Sequence, residues 1–246
     1  MSWNPDQYER FRAERAQPFH DLVSLIEKHP QMRVVDLGCG TGELTRHLHE
    51  QLAAAETLGI DSSESMLAKA PASESLRFQR GEIETFVADR PFDLVFSNAA
   101  LHWVPNHESL FRRLTSLLSE RGQIAVQMPA NDDHASHRVA GEVAERSFGI
   151  APRVHDVMPV ARYAELLHEL GYKRQHVRLQ IYGHLLDDTR GVVEWVKGTL
   201  LTDYQRRLGE RYAAFVEEYT ARLLEVIGEH RPYFYTYKRV LMWASF

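Results

Sequence analysis

The chain has 246 residues, 44% hydrophobic and 26% charged, a composition typical of a globular protein that excludes disordered and fibrous classes. Lys and Arg total 29 against 34 Asp and Glu, so the net charge is −5, which argues against a general nucleic-acid surface. The single Cys39 excludes an internal disulfide, and without a signal peptide or an apolar run of membrane-spanning length the expected location is the cytoplasm, with no membrane partner.

Hydrophobic periodicity predicts alternating helices and strands through the first half of the chain. In chain order, we expect a helix over residues 21–28, a strand over 33–36, a helix over 43–53, a strand over 56–60, a short helix over 63–69, strands over 76–79 and 92–97, a helix over 108–118 and a strand over 124–128. Strands that alternate with helices in this way form a parallel sheet covered by helices. The sequence therefore predicts an α/β fold.

The second half of the chain follows a different pattern. Two long strands are predicted over residues 175–183 and 234–246, with helical segments over 192–200 and 208–227 between them. Residues 129–159 are rich in His and Asp and lie outside the sheet pattern. Because long connections often carry binding residues, we expect this segment and the later helices to form a cap on the substrate side of the sheet.

A glycine-rich segment connects the first predicted strand to the helix that follows it. Residues 36–42 read Asp-Leu-Gly-Cys-Gly-Thr-Gly, so the glycines are Gly38, Gly40 and Gly42. A dinucleotide loop has the wider spacing G-x-G-x-x-G and holds a pyrophosphate, beside which Asp36 would be unfavourable. S-adenosylmethionine (SAM) carries a sulfonium and an ammonium instead of phosphates, and a carboxylate beside the loop suits these charges. The loop therefore favours SAM, and Cys39 within it is expected to be only a small loop residue.

A second acid, Asp61, ends the next predicted strand, nineteen positions after Gly42 (61 minus 42). This separation is close to that of the ribose-binding acid in a nucleotide-binding βαβ unit, and a carboxylate can accept hydrogen bonds from both ribose hydroxyls. With these two acids around its glycine loop, the chain resembles the class I SAM-dependent methyltransferases. The resemblance implies a Rossmann-like sheet with an antiparallel last strand and a helical substrate cap. It also implies SAM as the cofactor and S-adenosylhomocysteine as its product.

The residues that follow the other strands are the remaining cofactor candidates, because ligands of such sheets bind beyond the carboxyl ends of the strands. After the second strand these are Ser62 and Met66, whose thioether could pack on the adenine ring. After the third strand, Glu82 offers a carboxylate to the adenine amino group, where the family usually has Asp, and Ile83 offers a backbone amide.

The resemblance assigns the segment after the fourth strand to the reacting end of the site. It implies that Asn98 and Ala99 meet the methionine part of SAM, and that His102 and Trp103 lie where methyl and acceptor come together. If the acceptor is an alcohol, an amine or a carbon acid, His102 could act as general base. Beside a carboxylate acceptor it would only donate a hydrogen bond, or pack on Trp103 and line the pocket.

Further motifs resemble the trans-aconitate methyltransferase family. They are Ser-Trp-Asn-Pro over residues 2–5, followed by Tyr8, Phe11, Arg15 and Pro18, then Asp-Ser-Ser over 61–63, Gln-Met-Pro over 127–129 and Glu-Trp-Val over 194–196. Residues 233–239 depart from the family pattern, which leaves another small acid open as the acceptor. The resemblance implies transfer of a methyl group to one carboxylate of a small polycarboxylic acid such as trans-aconitate, giving a monomethyl ester.

A carboxylate acceptor requires no general base, because it is ionised at neutral pH and its alignment with the methyl group in a dry pocket sets the rate. The other carboxylates of the substrate need cations, and Arg recognises a carboxylate bidentately. The substrate candidates are Tyr8, Arg15, Trp103, Lys197, Tyr204, Tyr235 and Arg239. We expect the segment through Pro18 to close over the bound cofactor.

No metal is expected. His134 and His137 near Asp132 and Asp133 have a spacing that could bind one, but such spacings arise by chance in a chain with 13 histidines, and methyl transfer to oxygen gives a metal nothing to activate.

Two other classes of protein stay open. A nicotinamide dehydrogenase should show the wider glycine spacing and a Tyr-Lys or His-acid set, and a non-catalytic SAM-binding protein should have an apolar or blocked acceptor pocket.

These patterns together predict a single domain that is a monomer or a weak dimer. Residues 1–30 would form lid helices, 31–128 the cofactor-binding core, 129–232 the cap insertions with the sixth strand, and 233–246 the last strand. The expected partner is a small anionic carboxylic acid, with no nucleic acid.

Overall fold

The computed structural model describes residues 12–153 and 155–246, with the backbone alone described for residues 12–15. Its helices and strands in chain order are α1 (Arg12–Val23), β1 (Arg33–Leu37), α2 (Glu43–Leu52), β2 (Glu56–Asp61), α3 (Glu64–Leu67), β3 (Leu76–Arg80), β4 (Phe92–Asn98), α4 (His107–Thr115), β5 (Leu118–Pro129), α5 (Ala135–Phe148), α6 (Val160–Glu169), β6 (Arg174–Leu186), α7 (Arg190–Lys197), α8 (Leu200–Leu208), α9 (Tyr212–Ile227) and β7 (Tyr233–Ser245). Short 3₁₀ turns lie at Leu101–Trp103 and Gly209–Arg211. Every helix within the described ranges is too short or too polar to cross a membrane.

The described strands form one seven-stranded sheet in the order β3-β2-β1-β4-β5-β7-β6. β1 pairs in parallel with β2 and β4, β2 with β3, and β4 with β5, whereas β7 runs antiparallel to β5. This confirms the predicted α/β sheet with an antiparallel last strand. The strand order reverses between β1 and β4, and sheets of this kind bind ligands in the crevice at the carboxyl ends of two such strands.

β1 occupies the centre of the sheet because it is a continuous buried run. All five of its residues are buried, and Arg33 is accommodated there because its guanidinium pairs with Glu56 and Asp89 at 3.0 and 2.7 Å. A strand buried on both faces belongs in the interior of a parallel sheet. The carboxyl end of β1, at Asp36 and Leu37, therefore leads directly into the glycine loop at the crevice.

The first described helix differs from its prediction. The prediction of a helix over residues 21–28 is wrong after residue 23, because α1 ends at Val23. The N–H groups of Leu25 and Ile26 bond three residues back, to Leu22 and Val23, at 3.1 Å each. Bonds of this 3₁₀ type tighten and end the helix, although the apolar spacing continues through Ile26.

The boundary between α4 and β5 also differs from its prediction. The helix predicted over residues 108–118 ends at Thr115, and β5 begins at Leu118 instead of residue 124. The register of β5 against β4 shifts after Phe92, which pairs with Leu118. Such a bulge adds residues to one strand of a pair and interrupts its alternation. Hydrophobic periodicity therefore did not detect that β5 begins before the bulge.

The chain divides into two compact units, which are described separately. The sheet unit comprises Arg12–Pro129, Asp156–Gln180 and Arg239–Phe246, and the helical unit comprises Ala130–His155 and Ile181–Lys238. The sheet unit has a core cluster that includes Phe19, Leu22, Val34, Leu48, Phe96 and Trp243. The helical unit has its own core, which includes Val139, Trp195, Tyr204, Phe215, Tyr219, Tyr235 and Tyr237.

Candidate active site

The glycine loop follows β1 and is fixed by the strand beside it. The N–H groups of Gly38 and Cys39 both donate to the Ile60 carbonyl, at 2.8 and 3.0 Å. Gly38 and Gly42 have φ of +80° and +73°, a backbone region that glycine adopts most readily. These bonds and dihedrals turn the chain sharply from β1 into α2.

The three glycines of the loop serve different purposes. A Cβ on Gly38 would lie 2.1 Å from the Ala100 Cβ, and one on Gly42 would lie 2.5 Å from the Phe78 ring. At Gly40 the nearest atom to such a Cβ is the Met66 methyl, at 3.5 Å. Gly38 and Gly42 therefore permit close packing within the protein, whereas a Cβ on Gly40 would make only an ordinary van der Waals contact with Met66.

Asp61 is bound to the loop on both of its oxygens. Its Oδ2 accepts the N–H of Gly40 at 2.8 Å, and its Oδ1 accepts the N–H of Ser63 at 2.9 Å. A carboxylate has about four lone-pair sites, so these contacts leave acceptor capacity for a ligand hydroxyl. Sequence spacing identified Asp61 as a ribose acceptor but did not reveal that it also fixes the loop.

Asp36 is a buried acid beneath the loop and is only 3% exposed. Its Oδ2 accepts the Thr45 hydroxyl at 2.6 Å, while Oδ1 is buried and has no hydrogen-bond partner among the described residues. Burial raises the pKa of Asp36 from 3.8 to about 7, the Thr45 bond opposes the shift, and the charge of Asp61 adds to it. A cation beside this oxygen would stabilise the ionised form.

We expect Asp36→Asn to remove a pH dependence of folding stability. Because the folded-state pKa of Asp36, about 7, lies above its ordinary 3.8, the folded protein keeps a proton that the unfolded chain releases above about pH 4. The contribution of Asp36 is therefore fully present below about pH 4 and is lost as the pH rises to about 7, by up to ~1.4 kcal/mol per pH unit. Urea unfolding at several pH values checks this: wild type should lose stability relative to the variant as pH rises, and a constant difference would contradict the raised pKa.

Cys39 lies in the same loop and is half-buried. Burial raises the pKa of its thiol, and the charges of Asp36 and Asp61 raise it further. Because the thiolate is the reactive form, this thiol is a poor nucleophile. Its environment fits the small loop residue expected from sequence.

Residues after β2 and β3 lie around the same loop. Ser62 is exposed and its carbonyl accepts the Arg80 Nε–H at 3.2 Å, and Met66 is 40% exposed. Glu82 is exposed, and the Ile83 Cδ1 atom would lie 3.6 Å from a Cβ on Gly38. The structure therefore brings Met66 next to Gly40 and Ile83 next to Gly38.

Arg113 supports the segment after β3, and sequence reasoning did not identify it. Its Nη2 donates to the carbonyls of Ile83, at 3.1 Å, and Phe86. A guanidinium that bonds two carbonyls of one segment fixes the path of that segment. The position of Ile83 beside the loop thus depends on a side chain from α4.

A hydrogen-bond network connects the ends of β4, β5 and β7. Gln127 Nε2 donates to Asn98 Oδ1 at 2.6 Å, and its Oε1 accepts from Arg239 Nη1 at 2.9 Å. The Gln127 carbonyl accepts the N–H of Ala99 at 2.8 Å, and Ala99 has φ of +57°. The structure therefore brings Asn98, Ala99 and Arg239 together through Gln127, whose role was not predicted.

His102 and Trp103 lie on the 3₁₀ turn after β4, with their ring centroids 5.1 Å apart. His107 holds this turn, because its Nε2 donates to the Leu101 carbonyl at 3.0 Å. That tautomer makes Nδ1 an acceptor, and it accepts the Tyr163 hydroxyl at 2.5 Å. Burial lowers the pKa of His107, which favours this neutral form. His107 and Tyr163 were not predicted, since neither belongs to a local motif.

The remaining substrate candidates lie elsewhere in the chain. Tyr8 and the side chain of Arg15 lie outside the described residues. In the helical unit, Lys197 pairs with Glu194 at 2.5 Å. Tyr204 and Tyr235 are 1% and 0% exposed. The Tyr204 hydroxyl accepts the Arg153 N–H at 3.0 Å, and the Tyr235 hydroxyl lies 3.3 Å from both Asn131 Nδ2 and Ser136 Oγ. Their burial favours packing roles.

The described part of the chain contains no group of three or more His, Cys, Asp or Glu side chains arranged to hold a metal ion. This holds also for the candidates His134, His137, Asp132 and Asp133. Lys238 pairs with Asp133, and His155 Nδ1 bonds Asp132 Oδ1 at 2.8 Å.

Comparisons with known proteins agree on one family. Residues 28–169 match the family described as a methyltransferase domain. The trans-aconitate 2-methyltransferase of Deinococcus radiodurans is 42% identical, covering 100% of this chain and 98% of the relative. That of Variovorax paradoxus (strain S110) is 37% identical, covering 91% and 89%. A solved S-adenosylmethionine dependent methyltransferase from Mesorhizobium loti is 20% identical with a TM-score of 0.53, covering 94% of this chain and 98% of that one, a likeness that shows the fold alone.

Proposed function

The chain belongs to the methyltransferase domain family and is a SAM-dependent methyltransferase, and from this premise we propose that it methylates a carboxylate of trans-aconitate or a closely related small polycarboxylic acid. The products would be a monomethyl ester and S-adenosylhomocysteine. The support for this acceptor is that the relatives carry trans-aconitate in their names and match 100% and 91% of this chain.

The residues around the glycine loop fit SAM. The observation that carries this assignment is the buried Asp36 Oδ1, which lacks a hydrogen-bond partner among the described residues and would be stabilised as a carboxylate by a cationic ligand. Asp61 keeps acceptor capacity for ribose hydroxyls, and Met66 lies beside Gly40 of the loop. We assign cofactor binding to Asp36, Gly38, Gly40, Gly42, Asp61, Ser62, Met66, Glu82, Ile83, Asn98 and Ala99.

Bound SAM would supply an electrophilic methyl carbon on a sulfonium. The acceptor carboxylate oxygen would form a bond to this carbon as the C–S bond breaks, giving the ester and S-adenosylhomocysteine. That carboxylate is ionised at neutral pH, so no residue needs to remove a proton. The protein contributes alignment and exclusion of water. Trp103, 53% exposed, offers an apolar surface beside His102, and His107 holds the turn that carries both.

Arg239 is a cationic substrate candidate within the sheet unit. Its Nη1 donates to Gln127 Oε1 at 2.9 Å, which places the guanidinium at the end of β5, and Arg recognises a carboxylate bidentately. We therefore propose that Arg239 binds a carboxylate at the carboxyl end of the sheet. Tyr8, Arg15, Lys197, Tyr204 and Tyr235 remain substrate candidates on the family resemblance.

Mass spectrometry of the purified protein with SAM and trans-aconitate tests the proposal. The expected result is a product one methyl group heavier than trans-aconitate, formed in equal amount with S-adenosylhomocysteine. If SAM binds by calorimetry and no ester forms, this acceptor is wrong. Binding of NADH in place of S-adenosylhomocysteine would contradict the cofactor assignment itself.

The variant His102→Asn separates a carboxylate acceptor from one that must lose a proton. With trans-aconitate we expect kcat to fall less than about tenfold, because general-base catalysis, worth roughly 10²–10⁴-fold, is not used. His47→Asn on the exposed face of α2 is the matched control. A loss of about 10³-fold in kcat for His102→Asn alone would instead identify it as a general base.

A further inference from the structure

Gln127 lies buried near the carboxyl end of β5 and contacts two residues that are proposed above to bind ligands. It is 1% exposed, and it is the register partner of Asn98 in the ladder between β4 and β5. The side chains of Asn98 and Gln127 therefore leave the sheet on the same face. Asn98, Gln127 and Arg239 all belong to the sheet unit, so their contacts are formed within that unit.

Arg239 determines which way the Gln127 amide points. A guanidinium has N–H donors and no acceptor, so the Gln127 atom that it contacts at 2.9 Å must be the oxygen. This holds whatever else Arg239 contacts. The Gln127 nitrogen then lies on the other side, where it donates to Asn98 at 2.6 Å. A reversed Gln127 amide would place an N–H donor against the guanidinium, so hydrogen-bonding chemistry selects this orientation.

The same argument fixes the Asn98 amide. Because the Gln127 nitrogen is a donor, Asn98 must present its oxygen to it, and the Asn98 N–H₂ group points away from Gln127. Among the described residues the Asn98 nitrogen has no hydrogen-bond partner, and Asn98 is half-buried. It is the last residue of β4, at the crevice where ligands of such a sheet bind. The part of the amide that remains for a ligand is therefore a hydrogen-bond donor.

We propose that Gln127 is a positioning residue which, held by Arg239, turns the Asn98 amide so that its N–H₂ group donates to a carboxylate oxygen of a bound ligand. A carboxylate only accepts hydrogen bonds and suits this donor, whereas an ammonium group only donates and does not. Two ligands carry such a group, the amino-acid part of SAM and the acceptor. The inference rests on the proposed function, because that function supplies both ligands.

Calorimetry of Asn98→Asp tests which group Asn98 presents. The substitution keeps an oxygen that accepts from Gln127 and replaces the outward N–H₂ group with a second oxygen of similar size. If the cofactor supplies the carboxylate, S-adenosylhomocysteine should bind about 10- to 100-fold more weakly, the loss typical of a hydrogen bond to a charged group. Decarboxylated SAM keeps the ammonium and lacks the carboxylate, so it should bind as tightly as to wild type or more tightly.

Tricarballylate, a saturated tricarboxylate, tests the acceptor as the source of the carboxylate. If the acceptor supplies it, Asn98→Asp should weaken tricarballylate binding and leave the affinity for S-adenosylhomocysteine unchanged. Gln51→Glu makes the same amide-to-acid change on an exposed residue of α2 and is the matched control.

Two results would overturn the inference. One is an equal loss of affinity for decarboxylated SAM and S-adenosylhomocysteine in Asn98→Asp, because the contact would then not be to a carboxylate. The other is an unchanged affinity for S-adenosylhomocysteine together with tricarballylate binding that is unchanged in the variant or absent in wild type.

Gln127→Glu tests the positioning role. The new carboxylate can still accept from Arg239, but it presents an oxygen to Asn98 where Gln127 presents an N–H. The Asn98 amide must then reverse and turn its oxygen toward the ligand. We expect this variant to lose the same ligand as Asn98→Asp and to keep decarboxylated SAM. A general disturbance of the site would weaken all ligands, and wild-type binding of all of them would show that Gln127 does not orient Asn98. Thermal unfolding verifies that each variant folds.

Binding and catalysis separate this inference from the proposed function. If wild type forms no ester from trans-aconitate, the proposed acceptor fails, and the comparison of S-adenosylhomocysteine with decarboxylated SAM still decides what Asn98 presents to the cofactor. If the ester forms and both variants bind every ligand as wild type does, the function stands and the inference is overturned.

Discussion

Asp61→Asn is expected to bind SAM at least about 100-fold more weakly than wild type, since each hydrogen bond to a charged group contributes roughly 1.5–3 kcal/mol. In the folded protein the two carboxylate oxygens accept from Gly40 and Ser63. An asparagine offers one oxygen, and its amide N–H₂ would face the other backbone donor. The variant therefore loosens the loop around the cofactor as well as removing acceptor capacity for the ribose.

Calorimetry with S-adenosylhomocysteine measures this loss, and thermal unfolding shows whether the variant is folded at the assay temperature. Glu120→Gln removes an exposed acid of β5 and serves as the control for a change in net charge. An Asp61→Asn protein that is folded and binds the cofactor with wild-type affinity would show that Asp61 neither contacts the ligand nor controls the loop.

The parts of the fold that sequence predicted are those with local signals. The apolar run of β1, the glycines of residues 36–42 and the acid at the end of β2 lie within one βαβ unit, so spacing alone brings them together. The end of α1 could not be predicted, because the apolar spacing continues through Ile26 while the hydrogen bonds change to three-residue steps. The apolar pattern indicates which residues are buried, and here the buried residues continue to Ile26, three positions past the end of the helix.

The residues that sequence missed act across long separations in the chain. Arg239 and Gln127 are 112 positions apart, and Arg113 and Ile83 are 30 apart. Gln127 and Arg113 are the two that were missed; both are ordinary polar residues in their local segments, and only their partners Arg239 and Ile83 reveal what they do. Tyrosine can be assigned to a binding site wrongly, because an apolar ring with a hydroxyl suits both a core and a binding site. Tyr204 and Tyr235 were selected as hydroxyl donors, and the structure shows both buried in the helical unit.

Gly38→Ala is expected to lower the free energy of unfolding by about 2–5 kcal/mol, the sum of left-handed backbone strain and overpacking. Its φ is +80°, and the new Cβ would lie 2.1 Å from the Ala100 Cβ. The overlap requires either the loop or the turn that leads to His102 to move. We therefore also expect weaker cofactor binding in the variant. Urea unfolding of wild type and Gly38→Ala measures the stability loss.

The two contributions can be separated with one control and one second substitution. Gly171→Ala places a side chain at φ of +91° with nothing within 4 Å, so it measures backbone strain alone, about 1–2 kcal/mol. Ala100→Gly removes the overlapping methyl group, so in a double-mutant cycle it should recover the overpacking part of the Gly38→Ala loss and leave a cost like that of Gly171→Ala. If Ala100→Gly recovers nothing, contact between the loop and the turn after β4 does not determine the requirement for glycine at position 38, and backbone conformation alone explains it.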